Sequence, residues 1–467
     1  MSDVAGVLSA LDGIEVIAEG PVVKQKSRDF YWYSPVLKRQ LKDVVADAVV
    51  VPRSEAEVIE TLRVCYANDV PVTVRGAGTG NYGQAMPVNG GIVLDLSALN
   101  AIKEISQGRI RCQAGLLMHD LDAATRADSG QELRFHPSTK RTASVGGYVA
   151  GGSSGVGSVT WGLLRDRGNI LGTRVITMEA EPQVLELRGD DINQVNHAYG
   201  TNGVITEVEM PLAPAYRWHD LIVAFDDFME ACRFCQSLSE QDAIVKKLVT
   251  PIAAPVPQRY FRPIKGLIPD GKDIVLLMIA DISLEAFEAF FAGFPGDILY
   301  RKEAADKAQD GVPPLYEFSW NHTTLQALKV NRDITYLQTL FPPPRHLTQV
   351  EQMYKHFGEE VCMHLEFVRF MGQIACFGLQ VVHFTDEERL FEIIAYHEAN
   401  GCPIFNPHVY TLEEGGMKQV DHEQLAFKKQ ADPKGLMNPG KMLAWENPNW
   451  TPDEGQVHLY PAARGGA

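Results

Sequence analysis

An α+β protein of two lobes is predicted from the length of the chain and from the order of its elements. At 467 residues the chain is longer than one compact domain, and two domains with sizeable cores are expected. From about residue 45 to 215 a strand–helix–strand unit leads into a series of short strands. After Tyr216 the pattern changes to strand–helix–strand, then strand–helix, the order of an antiparallel sheet with helices on one side.

The elements follow from local signals. AVVVP from Ala48 reads as a buried strand, and Ser54 with Glu57 forms the S-x-x-E capping box of a helix running to about residue 67. Pro71 ends the connection and PVTVR is the next strand, so this β–α–β unit delivers the stretch RGAGTGNYGQ that begins at Arg75. Short strands are predicted near 92–96, 102–105 and 109–113, the last two turning at Gln107-Gly108, and a helix over 116–126. A hairpin over 174–178 and 184–187 and a strand over 204–210 close the first lobe at Pro211 and Pro214. In the second lobe strands are expected at 221–225, 244–249 and 274–280, with helices at 226–238 and 284–294. HLEFVRF from His364 and CFGLQVVHF from Cys376 extend the sheet, and Pro342-Pro343-Pro344 marks an exposed connection. The aromatic run Phe30-Tyr31-Trp32-Tyr33 is expected to pack against a neighbouring surface.

Composition narrows the function. The formal net charge of −16 argues against a nucleic-acid surface and against electrostatic binding to anionic membrane. No window approaches ~18 uninterrupted apolar residues, so no membrane span is expected. MSDVAGVLSALDGIEV carries acids and no basic region, so no signal peptide is read and a cytoplasmic location is expected. The seven cysteines are expected to be reduced, with Cys232 and Cys235 on the buried face of the 226–238 helix. A lone C-x-x-C completes no zinc or iron–sulfur set, and no metal is expected.

The chemistry resides in the glycines. Gly76, Gly78, Gly80 and Gly83 follow the run Val72-Thr73-Val74 directly. At that density backbone N–H groups can approach a ligand and form a concavity for an anion, with a pyrophosphate the expected guest. Gly78, Gly80 and Gly83 also fit G-x-G-x-x-G, but no helix opens behind them. Gln84-Ala85-Met86-Pro87 and a turn at Asn89-Gly90-Gly91 lead into another strand, which argues against a Rossmann site. A second small-residue segment, SVGGYVAGGSSGVGS from Ser144, is too poor in large apolar residues for a core element, and backbone lying against a cofactor is expected instead.

The motifs PRSEAEV from Pro52, RGAGTGNYGQ, GGIVLDLSALN from Gly90, QAG at Gln113, HPSTKRTASVGG from His136, GTNGVITEVEMPL from Gly200 and DPKGLMNPGKM from Asp432 occur in that order. Together they resemble the FAD-linked oxidases whose flavin domain is of the p-cresol methylhydroxylase (vanillyl-alcohol oxidase) type, over about residues 45–215 and 430–443. The resemblance implies an FAD-binding domain at 1–215, a substrate cap at 216–414 and a C-terminal return to the flavin domain at 415–467. It also implies the cofactor contacts. Arg75, Gly76, Ala77, Gly78, Thr79, Gly80, Asn81, Tyr82, Gly83 and Gln84 would wrap the pyrophosphate and reach the isoalloxazine edge. Pro137, Ser138, Thr142, Ser144, Val145, Gly146, Gly147, Ala150, Gly152, Ser153, Gly155, Gly157 and Ser158 would line ribose, adenine and ring. Val204 and Ile205 would lie near the adenine, and Asn438 and Lys441 would close the site.

Departures from the family pattern matter. Members that bond FAD to the first loop carry a histidine where this chain has Thr79, and the second segment lacks the cysteine of berberine-bridge-like members. Non-covalent FAD is therefore expected, unless a cap histidine bonds it. The Glu-His-Gly of the metal-dependent D-lactate and 2-hydroxyglutarate branch and the His-Trp-x-Lys of aldonolactone oxidases are also missing. Oxidation of a carbinol by flavin needs a group to take the hydroxyl proton, and His408, Tyr410, Glu366, Arg369 and His322 are the candidates, with His408 and Tyr410 foremost. The expected function is oxidation of a small alcohol or 2-hydroxy acid, with O2 or an acceptor protein reoxidising the flavin and a homodimer as a possible assembly. A phenolic or amine substrate, or a catalytically silent electron-transfer subunit, is the alternative.

Overall fold

The computed structural model describes residues 3–152 and 154–451, so Ser153 lies outside the described residues. β1 (Glu15–Ile17), β2 (Ala48–Val51), β3 (Val72–Arg75) and β4 (Ile92–Asp95) form the first sheet, in the order β1-β2-β4-β3. β2 and β3 both run parallel to β4, and the helix Glu55–Ala67 provides the crossover that parallel strands need. The Ser54 hydroxyl accepts the Glu57 N–H at 3.2 Å, and the Glu57 carboxylate reaches back to the Arg53 N–H at 2.8 Å. The helix buries Val58, Leu62, Val64 and Cys65 against the sheet. The C-terminal segment joins the same edge: the Val72 N–H donates to Leu436 O and the Asn438 N–H to Val72 O, a parallel pairing along β3.

β5 (Ile102–Ser106), β6 (Arg109–Gln113), β7 (Gln131–Leu133), β8 (Gly172–Ile176), β9 (Val184–Leu187) and β10 (Val204–Pro214) form the second sheet, in the order β5-β6-β10-β8-β9 with β7 on the end of β10. Its pairings are antiparallel, and its residues alternate between faces. One face carries Arg111 against Glu207 at 2.6 Å and Arg174 against Glu186 at 2.9 Å. The other sends Ile110, Cys112, Val175, Val208 and Met210 into a core shared with the first sheet and with Phe427 and Met437.

β11 (Trp218–Phe225), β12 (Lys246–Ile252), β13 (Asp273–Ala280) and β14 (Asp297–Glu303) make an antiparallel sheet in the order β12-β13-β11-β14. The helix Phe228–Glu240 covers it, and Cys232 and Cys235 are buried as expected, their thiols pushed well up by burial. β15 (Ile334–Tyr336), β16 (Thr339–Phe341), β17 (Val361–Cys362), β18 (Leu365–Phe370), β19 (Gln373–Gly378) and β20 (Val381–His383) complete two three-stranded sheets, β15-β20-β17 and β16-β19-β18. The α+β expectation is met. No described helix is long and apolar enough to cross a membrane.

One expectation is corrected. Part of the serine–glycine segment is a core element, the helix Val145–Gly151, which buries Val145, Tyr148 and Val149. Its glycines permit close approach rather than irregular backbone: a Cβ on Gly146 would come 2.5 Å from Ala114 Cβ and 3.0 Å from its carbonyl. Ser144 caps the helix by accepting the Gly147 N–H.

Candidate functional site

The two glycine segments meet. A Cβ on Gly76 would strike Ser144 Oγ and sit 3.5 Å from Gly147 Cα, so the loop after β3 and the N-terminus of the helix Val145–Gly151 form one wall. That wall bounds a cavity of about 530 Å³, within the range of sites that enclose small organic ligands. Gly76, Ala77, Gly78, Thr79, Gly80, Asn81, Tyr82 and Gln84 line it. The N–H groups from Ala77 to Asn81 donate to no backbone acceptor among the described residues. Successive unpaired N–H groups facing a cavity make an anion nest. Gly78 adopts φ +66°, and a Cβ there would meet the Arg75 guanidinium, so the turn requires glycine.

Pro137, Ser138, Ser144, Gly146, Gly147, Ala150, Gly152 and Ile205 line the same cavity. The other residues expected to touch a cofactor stand behind the wall. Arg75 is buried beneath the loop and donates to the carbonyls of Arg28 and Ala77. Thr142 points outward, Val145 and Val204 belong to the core, and Ser158 turns back to the Gly155 N–H. Gly155 and Gly157 face protein backbone, at the carbonyls of His136 and Arg134. Asn438 binds the carbonyls of Gln84 and Tyr199, and Lys441 Nζ donates to Gly83 O at 2.7 Å. Gly83 is thereby held from behind. Asp29 completes this support by accepting the N–H groups of Tyr31 and Ala85. Burial pushes its carboxyl up and holds the Lys441 ammonium down.

Of the five catalytic candidates, His322 alone lines the cavity. It stands on the helix Asn321–Leu328 with Nδ1 2.9 Å from a Glu317 oxygen, close but misaligned for a hydrogen bond. His408 is buried instead. Its Nε2–H donates to Tyr336 O at 3.0 Å, which leaves Nδ1 to accept from the Ser34 hydroxyl at 2.8 Å. Burial lowers its pKa to about 4, so it is a neutral clamp between segments. The Tyr410 ring lies under Lys441 Nζ at 4.5 Å, outside the cavity wall. Arg369 pairs with Asp242 at 2.8 Å on the surface.

Glu366 stands one layer back. Its carboxylate accepts the Trp320 N–H and the Thr250 hydroxyl, each at 2.6 Å, and lies 3.0 Å from His364 Nε2. Trp320 has φ +49°, a costly conformation for a bulky residue, and this bond fixes it at the cavity. The wall opposite the glycines was not foreseen: Trp320, Asn321, Gln338, Phe377 and Phe405. Its one sequence signal was proximity, since Trp320 and Asn321 precede His322 and Phe405 precedes NPHVY. Arg165, His197 and Tyr199, also unforeseen, line the flank. No cluster of three or more His, Cys, Asp or Glu is placed to hold a metal among the described residues.

Residues 46–186 match the family model described as an FAD binding domain. This segment is an FAD-binding domain. The nest and the glycine-walled cavity fit FAD's pyrophosphate and extended shape. An uncharacterized FAD-linked oxidoreductase of Mycobacterium tuberculosis is 32% identical over 187 residues, a match spanning 38% of this chain and 40% of that relative. Glycolate oxidase subunit GlcD of Bacillus subtilis is 23% identical over 85% of this chain and 89% of its own. A D-lactate dehydrogenase of Archaeoglobus fulgidus is 29% identical over 85% and 91%. Among solved structures, alkyldihydroxyacetonephosphate synthase shares the fold of this chain, with a TM-score of 0.70 at 14% identity over 93% of this chain and 84% of that one.

Proposed function

We propose that this chain is an FAD-dependent oxidoreductase acting on a CH–OH group, with a flavin-binding part at 1–215 and 415–467 and a substrate cap at 216–414. The observation that carries this reading is one cavity joining the glycine nest to a wall that bears His322. FAD, when bound, supplies the two-electron acceptor that takes a hydride at N5 and is reoxidised by O2 or an acceptor protein. The chain's residues do the rest. The N–H groups of residues 77–81 hold the pyrophosphate, and Lys441, Asn438 and Asp29 keep the loop that carries them in place. His322 takes the hydroxyl proton at Nε2, which has no protein partner among the described residues, and Glu317 beside Nδ1 stabilises the resulting imidazolium. Anaerobic addition of alcohols and 2-hydroxy acids to the FAD-loaded protein should bleach the flavin with one of them; a flavin that stays oxidised with every compound counts against the reading. His322→Ala should lower the rate of bleaching ~10²–10⁴-fold, as loss of a general base does, while flavin content stays at the parent level.

The FAD is held without a covalent bond. Thr79 occupies the loop position of the bonding histidine, all seven cysteines are buried away from the cavity, and both nitrogens of His408 are engaged. Acid precipitation should therefore release the flavin absorbance into the supernatant; bands that stay with the pellet would disprove non-covalent attachment.

A further inference from the structure

Resting on the reading that the glycine nest holds FAD's pyrophosphate, we propose that Arg75 is the buried counter-charge of that anion, acting through the loop without touching the ligand. Gly78 lines the cavity and Arg75 does not. The guanidinium lies directly behind Gly78, where a Cβ would strike it. Arg75 is 7% exposed; burial lowers its pKa, yet a guanidinium keeps its proton in proteins. Its Nη1 donates to Arg28 O at 2.5 Å and its Nη2 to Ala77 O at 3.2 Å, while the buried Nε has no partner. Both acceptors are neutral carbonyls. No carboxylate forms an ion pair with Arg75 among the described residues, and the two that act on it from farther off, Asp95 and Asp29, are already engaged. Asp95 pairs with Lys26 at 2.5 Å. Asp29 accepts the N–H groups of Tyr31 and Ala85 and feels Lys441 more strongly than Arg75. A buried cation without a paired anion is costly, and an anion in the nest supplies that pair at one remove.

The charge is passed on by the backbone itself. In a trans peptide the C=O and the N–H of one unit point opposite ways. The Ala77 carbonyl faces Arg75, so the Gly78 N–H, one of the unpaired donors of the nest, points away from it. A cation on the carbonyl polarises that peptide and makes its N–H a stronger donor. Gly80 repeats the arrangement with a neutral partner: its carbonyl accepts the Phe30 N–H at 2.6 Å, and the Asn81 N–H donates to no backbone acceptor. Arg75 adds the attraction of a full charge, which salt weakens little because it is buried.

The test titrates the apoprotein of the full chain with ADP and inorganic pyrophosphate, which carry the anion, and with riboflavin, which does not. Arg75→Met keeps the length of the side chain and removes its charge. It should weaken ADP and pyrophosphate ~10–100-fold, the size of a full charge acting across a buried gap, and leave riboflavin within ~2-fold of the parent. The ratio of variant to parent affinity should be the same at ~50 and ~500 mM KCl, and a ratio that collapses at the higher salt would overturn the proposal. Arg75→Lys, which retains a point charge and loses the fork, should bind ADP within ~3-fold of the parent. Riboflavin weakened as much as ADP would make Arg75 a scaffold for the loop and overturn the proposal, as would an unchanged ADP affinity. If Arg75→Met does not fold, Arg75→Lys decides: a loss of ADP affinity of ~10-fold or more in that folded variant is also an overturning result. A parent that binds FAD but neither ADP nor pyrophosphate would remove this proposal and keep the flavin reading; a parent that takes up no FAD would remove both.

Discussion

Gly151→Leu should leave the protein folded and strip it of flavin. Gly151 is the last residue of the helix Val145–Gly151 and lines the cavity. A Cβ placed there meets one protein atom within 4 Å, Gln84 Nε2 at 3.9 Å. No core packing opposes the new side chain, so it fills the space assigned to the cofactor. Replacing a helical glycine also removes a penalty of roughly 0.5–1 kcal/mol, which keeps the thermal midpoint level or raises it. Overfilling a packed site costs ~1–3 kcal/mol, equivalent to a ~10–100-fold loss of FAD affinity in a titration of the apoprotein. Gly146→Leu is the contrast. Its Cβ would press on Ala114, so that variant should lose the fold together with the flavin. Parent-like FAD affinity in Gly151→Leu would mean that the cofactor lies elsewhere.

The glycine wall of this cavity was legible in the sequence because its signal is compositional. A backbone that must approach a ligand has to shed its side chains, and Gly76, Gly78 and Gly80 show that in the string itself. The crossover helix was legible for a similar local reason, the Ser54–Glu57 cap. The wall opposite the glycines was not legible. Gln338, Phe377 and Phe405 come from separate stretches that strand pairing brings together, and Phe30 and Trp320 join them from outside the strands. His408 shows the limit from the other side. The sequence marks it as a histidine entering the flavin domain, but not that Ser34 and Tyr336 take both its nitrogens. Glu366 was identified as a polar residue on a strand, while its partner, the Trp320 N–H, lies 46 positions away. Lys441 and Asn438, which the family motif implied as closing the site, bind the loop's carbonyls at Gly83 and Gln84, because proximity in a motif does not tell a contact from a support.

Asp122→Asn should cost far more stability than neutralising any surface acid. Asp122, on the helix Met118–Ser129, is 2% exposed and lies 2.8 Å from Lys140 Nζ and 3.2 Å from Arg126. Its other oxygen accepts the Leu133 N–H at 2.9 Å. Beside it, Glu132 takes Lys247 Nζ from β12 at 3.2 Å, the Trp218 indole N–H at 3.0 Å and the Arg126 guanidinium. The cluster therefore ties the second sheet to the third. Removing one member of such a buried set leaves the others uncompensated and costs ~3–5 kcal/mol, far more than breaking an exposed, solvent-screened pair such as Arg63–Glu60. Burial raises the Asp122 pKa, but the charges of Lys140, Lys247 and Arg126 outweigh it and hold the carboxyl well below its ordinary 3.8. A depressed carboxyl stabilises the fold above its unfolded value and loses that contribution as pH falls towards the folded one. The gap between parent and variant in denaturant midpoint should thus be constant from pH 8 to about 5 and narrow below about 4. Lys140→Met in the same chain should recover part of the loss, because it removes the buried cation that Asp122 no longer balances. A loss no larger than that of Glu60→Gln, or a gap that widens in acid, would show that the two lobes are joined by apolar packing alone.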